Sequence, residues 1–231
     1  MKIPDEIKWP KTPSEAREIQ NSERQKVILQ DRFGVIHKIA GVDIGFREKG
    51  NLARGAVVVL EFPSLKLIDS AVTFREVNFP YVPGFLSFRE IPVLLDALRK
   101  LKHFPDLIVC DGQGIAHPRR FGLASHLGVL LDVPTIGSAK SHFIGTHEEL
   151  PSQKGSRVEL REDGELLGYV YRSRDAVKPI YISPGHRISQ ESSLKIIEQC
   201  ITKFRLPETT RMADHLASHT DEEKLKDKRL S

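Results

Sequence analysis

The sequence predicts an α/β protein: a mixed β-sheet flanked by helices. Three observations lead there. Three strand-like runs follow one another with only short breaks, which makes them antiparallel neighbours. A continuous apolar run, Leu107–Cys110, comes after a helical stretch and reads as a buried strand parallel to the first. Further helices then alternate with short strands.

The elements follow in chain order. Thr12-Pro13-Ser14-Glu15 is a capping box with proline at the first helical position, and it predicts a helix from Pro13 to Leu29. The three strand-like runs are Lys38–Asp43, Ala56–Phe62 and Leu67–Phe74, separated at Arg47–Asn51 and at Pro63-Ser64. Phe79–Gly84 is proline-rich and irregular. Phe88–Leu101 carries Ile91, Leu94, Leu95, Leu98 and Leu101 at helical spacing. After Leu107–Cys110, a helix is expected over Arg119–Leu131 and a short strand over Val133–Ile136. A long crossover, Ser141–Lys178, holds a strand pair at Arg157–Leu160 and Leu166–Tyr171. Pro179–Ile182 is the last expected strand. Ile188–Phe204 is a helix with Leu194, Ile197 and Ile201 on one face. Glu208–Ser218 is a short segment before a charged tail from Asp221.

The chain has 231 residues, 39% hydrophobic and 29% charged, which suits one domain with a sizeable core. We expect that domain over residues 1–220, with 221–231 as a frayed tail. No window reaches the roughly 18 apolar residues of a membrane span, and Met1-Lys2-Ile3-Pro4-Asp5-Glu6 lacks a signal-peptide core. Only Cys110 and Cys200 occur, and Cys110 lies inside an apolar run. A reduced thiol and a cytoplasmic location are expected. A net charge of +4 is compatible with a polyanionic partner without requiring one. No apolar stripe is left over for a partner copy, so a monomer is expected.

Two apolar runs each stop at an aspartate followed closely by glycine: Ile39-Ala40-Gly41-Val42-Asp43 and Leu107-Ile108-Val109-Cys110-Asp111. A carboxylate at the exit of a buried strand is costly unless something pairs with it. Neighbouring strands lie about 4.8 Å apart, so two such acids repel without a cation. Either aspartate alone reads as a turn residue. Both together, on strands expected to be neighbours, point to a divalent metal such as Mg²⁺ and to phosphoryl-transfer chemistry. Glu90 is the third candidate. Ser87-x-x-Glu90 also matches a capping box, but Pro92 would then fall at the fifth helical position and lose a hydrogen bond. The strand order is also that of the ribonuclease H-like fold, in which carboxylates on the first and fourth strands lie side by side.

Four stretches carry a resemblance over about residues 10–218. They are Gly41-Val42-Asp43, Pro80-Tyr81-Val82-Pro83-Gly84-Phe85-Leu86-Ser87-Phe88-Arg89-Glu90, Asp111-Gly112-Gln113-Gly114-Ile115-Ala116-His117-Pro118-Arg119 and Gly137-Ser138-Ala139-Lys140-Ser141. Together they closely resemble endonuclease V. The resemblance implies a Mg²⁺-dependent hydrolase of DNA repair, with Mn²⁺ as a substitute. It would act on deaminated bases, chiefly hypoxanthine in deoxyinosine, in double- or single-stranded DNA. It would cut the second phosphodiester bond 3′ to the lesion, leaving 3′-OH and 5′-phosphate ends. By the same resemblance, Asp43 and Asp111 match metal ligands, Glu90 the third catalytic carboxylate, and Tyr81 a wedge that enters the duplex.

Physical sense can be made of these roles and of several neighbours. Lys140 could place a fixed charge near the scissile phosphate. Asp214-His215 could assist through a proton transfer or a metal-bound water, with His215 taken as the catalytic member. Pro80 and Pro83 stiffen the backbone around Tyr81 and Val82, so little entropy is lost when the loop enters a base stack. Gly84, Gly112, Gly114 and Gly122 let backbone approach a planar base, with Leu86, Leu123 and Ile115 as candidate walls. Arg89, His117, Arg119 and Arg120 are candidate phosphate contacts. His126 and His186 read as structural. Two alternatives keep the fold and change the substrate: inosine-containing RNA, or flaps and mismatches.

Overall fold

The computed structural model describes residues 3, 4 and 6–218, so the expected charged tail at 221–231 lies outside the described residues. An eight-stranded sheet runs through it in the order β3-β2-β1-β4-β5-β8-β7-β6. Strands β1 (Lys38–Arg47), β2 (Leu52–Glu61) and β3 (Leu67–Glu76) form the antiparallel meander. β4 (Leu107–Cys110) pairs parallel to β1, and β5 (Thr135–Ala139) parallel to β4. β6 (Arg157–Glu162), β7 (Glu165–Tyr171) and β8 (Ile180–His186) complete it in antiparallel pairing. This is the mixed, ribonuclease H-like arrangement expected.

Helices cover both faces. On one face α2 (Ser87–Arg99) and α3 (Leu123–Leu131) bury Ile91, Leu94, Leu98 and Leu127 against Val42, Val57 and Ile108. On the other, α4 (Gln190–Cys200) and α5 (Glu208–Ser218) bury Leu194, Ile197, Met212 and Leu216 against Ile39, Val58 and Val109. All four residues of β4 are buried, because that strand is covered on both faces. Each such leucine or isoleucine contributes about 1.5–3 kcal/mol.

α1 (Pro13–Glu23) begins as its capping box dictates: the Thr12 hydroxyl accepts from the Glu15 amide at 3.3 Å. It stops six residues before Leu29, giving way to a 3₁₀ turn at Arg24–Lys26. Other boundaries also moved. α3 starts at Leu123 rather than Arg119, because the Asp111–Gly122 segment folds as a loop. α4 starts after Ser189, whose hydroxyl caps the Ser192 amide, and it ends at Cys200. β5 occupies Thr135–Ala139 instead of Val133–Ile136.

One difference bears on the site. β1 does not end at Asp43 but continues to Arg47, because Asp43–Arg47 pair with Ala56–Leu52 of β2. Asp43 is therefore a mid-strand residue with one neighbouring strand gone. β4 has stopped at Cys110, opposite Val42, so the next residues, Asp43 and Asp111, come side by side.

Candidate active site

β1 carries Gly41, Asp43 and Gly45 at alternate positions, which share one face of the strand. That face is covered by α5. A Cβ at Gly41 would strike the Thr209 carbonyl, and one at Gly45 would crowd the Ala217 carbonyl. The two glycines let the helix backbone lie directly on the strand. This brings Asp214, on the same helix, to Asp43. Carboxylate oxygens of Asp43, Asp111 and Asp214 all lie within 4.8 Å of one another.

Three acids so close, all half-buried, demand positive charge. Burial, reinforced by Asp111, pushes the Asp43 carboxyl up to about 7. Asp111 is raised as well, first by burial. Glu90, in the first turn of α2, is buried; burial first, then Asp43 and Asp111, push it well above the carboxylate range. Its oxygens are not among those that converge. Lys140, directly after β5, supplies a cation: its ammonium lies 2.5 Å from Asp111 and 2.6 Å from Asp214. Burial alone would lower the Lys140 pKa, but Asp111 and Asp214 outweigh it and the net shift is upward. The all-oxygen donor set fits a hard divalent ion such as Mg²⁺.

Asp111 and Glu90 line a cleft of about 370 Å³. Gly84, Leu86, Gly112, Gly122 and Leu123, read from the sequence as pocket residues, line it together with Tyr81, Val82 and Pro83 of the expected wedge. Phe143, His142 and Gln113 also line it and were not among the expected pocket residues, although Gln113 lies in the Asp111–Arg119 stretch. Two expected walls are elsewhere. Gly114 packs against the Pro184 carbonyl, and its amide donates to Ser183; Ile115 is buried and does not line the cleft. The capping-box alternative for Ser87 also fails, since its hydroxyl is paired with His126 Nδ1 at 3.0 Å and Leu86 takes the N-cap position.

Tyr81 is 71% exposed at the tip of the Phe79–Phe85 loop. Pro80 and Pro83 beside it are also exposed. The roots of that loop are held firmly. Arg89 donates to the Phe79 carbonyl at 2.6 Å and to the Gly50 carbonyl at 2.9 Å. At the other root, Gly84 takes a left-handed φ of +81°, and its carbonyl accepts from three side chains. Arg119 reaches it at 2.7 Å, and Gln20 and His117 at 3.0 Å each. His117 Nδ1 accepts from the Arg119 amide, so Nε2 carries the donated proton. Burial, with Arg119 second, lowers His117 to about 4, which keeps it neutral. Arg89, His117 and Arg119, expected to face phosphate, are thus engaged with protein carbonyls. Arg120 likewise pairs with Glu162 and Glu165 of the β6–β7 hairpin at 2.7 Å each.

His215 is half-buried next to Asp214. His126 is buried in an aromatic cluster with Trp9, Phe88 and Phe121, and His186 is buried near Asp132, consistent with structural roles. Asp214, expected only to assist together with His215, is one of the three converging acids, and Gln20, at the Gly84 root, was not among the expected residues.

Comparison with known proteins now decides the family. The Endonuclease V family profile matches residues 21–215. The chain belongs to the Endonuclease V family. A curated Endonuclease V from Rippkaea orientalis is 53% identical over 219 residues, covering 95% of this chain and 96% of that one. The crystal structure of Endonuclease V from Streptomyces avermitilis superposes with a TM-score of 0.86 at 41% identity, covering 98% of both chains. Ciona intestinalis Endonuclease V, solved with a 24mer DNA containing an inosine followed by a ribo-adenosine, matches with a TM-score of 0.78 at 31% identity. That match covers 93% of this chain and 98% of that one. As a member of the Endonuclease V family, the protein is a nuclease, hence a hydrolase. No helix among its described residues is long and apolar enough to cross a membrane.

Proposed function

We propose that this protein is a Mg²⁺-dependent repair endonuclease that cuts DNA at deoxyinosine, with Mn²⁺ as a substitute ion. The observation that carries the reading is the convergence of Asp43, Asp111 and Asp214, of which Asp111 lines a cleft bordered by an exposed tyrosine loop. The DNA-bound relative, with inosine in its oligonucleotide, supports the substrate.

The three aspartates would hold the ion, which when bound acidifies a water and neutralises phosphate charge. Glu90, with its carboxyl pKa raised, is suited to hold a proton at the attacking water. Lys140 sets a fixed ammonium beside the position of the scissile phosphate. His215 would exchange a proton with the leaving oxygen. Tyr81 enters the base stack, and the flipped hypoxanthine sits between Gly84, Leu86, Gly112, Gly122 and Leu123. The cut falls at the second phosphodiester bond 3′ to the lesion. Nicking of an end-labelled inosine duplex with and without Mg²⁺ tests this. Metal-independent cutting, or equal cutting of undamaged duplex, refutes it.

A second reading has one observation in its favour: the Ciona intestinalis relative accepts a ribo-adenosine after the inosine. On that reading the same site cuts inosine in RNA. Parallel assays on inosine DNA and inosine RNA of one sequence separate the two.

A further inference from the structure

The cleft is lined by the loop root at Gly84 and by the Asp111–Gly122 loop, and the separation of these two backbone segments limits how thick a planar ligand fits between them. One side chain ties these walls to each other from outside both. Gln20, on α1, is fully buried, and it lies just before the stretch matched by the family profile. Its amide nitrogen donates to the Gly84 carbonyl at 3.0 Å and to the Phe121 carbonyl at 3.4 Å. Its amide oxygen accepts from Arg119 Nε. Arg119 in turn donates to the same Gly84 carbonyl and lies 4.2 Å from the Phe85 ring centroid.

We propose that Gln20 is a positioning residue for base recognition: its amide clasps the Gly84 root to the 111–122 loop and fixes the width of the slot between them. This rests on the deoxyinosine reading above. Three points of geometry carry it. Gln20 touches neither the carboxylates nor the open cleft, so its bonds serve only the two walls. Both amide hydrogens and the amide oxygen are used, so its orientation is determined by the walls it joins. A carbonyl has two lone pairs, and Gly84 O is approached by three donors, which leaves its position little freedom to relax. A base too large or wrongly placed would then have to break several buried hydrogen bonds to widen the slot.

The consequence is specific. Loss of the clasp should relax the choice of base and weaken substrate capture, while leaving the chemical step on the correct base nearly intact. Gln20→Leu removes all three bonds at similar volume; Gln20→Glu keeps the acceptor for Arg119 and removes the donors to the Gly84 and Phe121 carbonyls. The full chain is assayed with Mg²⁺ on inosine and undamaged duplexes, with thermal unfolding recorded for each variant. The expected result is a ratio of kcat/KM, inosine over undamaged, lowered about tenfold in both variants through a raised KM, with kcat on inosine within about threefold of wild type. A structural role alone would lower the melting temperature and leave that ratio unmoved. An unchanged ratio in Gln20→Glu, folded as judged by its melting transition, overturns the proposal even where Gln20→Leu fails to fold. Failure of the wild type itself to prefer inosine would instead overturn the deoxyinosine reading.

Discussion

The carboxylate cluster and the roots of the Phe79–Phe85 loop border one cleft but are assembled on opposite terms. At the cluster, like charges are forced together, and Lys140 in direct contact, with Arg205 farther off, offsets them. At the loop roots, donors from α1, α2 and the 111–122 loop converge on neutral carbonyls. The first arrangement is strained without a ligand and gains from binding one. The second is satisfied within the protein and gains from staying still. On the proposed function, a site that binds a cation and measures a base needs one region of each kind.

This contrast can be tested by breaking each side. The largest effect is expected from Asp214→Ala, which should lower cleavage of inosine duplex by about 10³-fold or more with Mg²⁺ present. Gel-shift binding of the same duplex should fall far less. Wild-type cleavage by Asp214→Ala would remove α5 from the catalytic set. Tyr81→Ala should weaken lesion binding by about tenfold, measured by fluorescence anisotropy, and should weaken binding to undamaged duplex less. Equal losses on both would mean that Tyr81 is not a wedge.

Smaller effects separate the two regions by stability. Asp43→Asn relieves repulsion and should raise unfolding stability in metal-free buffer by about 1–2 kcal/mol. Arg119→Leu empties one arm of the clasp and should lower stability by about 1–3 kcal/mol. Opposite signs in denaturant melts support the contrast; a common sign contradicts it. Acid should act on the loop side through His126. Burial lowers that imidazole to about 3 from an ordinary 6.5. The unfolded chain therefore binds a proton that the folded chain refuses, and this group's contribution is lost as pH falls below 6.5. Between pH 6.5 and 5 the loss is about 2 kcal/mol. In His126→Phe the acid limb of a melting-temperature profile should be flatter.

Much of this was legible in the chain. The strand order and the neighbouring of Asp43 with Asp111 follow from apolar runs and short breaks, and the Tyr81 loop announces itself by Pro80 and Pro83. The end of β1 was misplaced because Asp43 interrupts the apolar run, although Ile44 and Phe46 continue the alternation. Asp214 was singled out with His215, but its place among the converging acids was hidden because an acid on a helix surface looks like any solvated residue. Its signal was indirect: Gly41 and Gly45 flank Asp43 on one strand face and clear room for a helix backbone. Arginine poses a different difficulty. The same residue type serves a phosphate or a backbone carbonyl, so Arg89 and Arg119 could not be separated from phosphate contacts by sequence. Gln20 had no signal, because its partners are carbonyls of Gly84 and Phe121, far along the chain.

The docking of α5 on Gly41 and Gly45 has a consequence in time. Asp43, Glu90, Asp111 and Lys140 all emerge from the ribosome before Asp214, which arrives on α5, the last described element of the fold. A growing chain that has not yet delivered Glu208–Ser218 lacks one of the three converging acids and the helix that covers that face of β1. The acid cluster thus stays incomplete until Glu208–Ser218 has been made and has docked on β1.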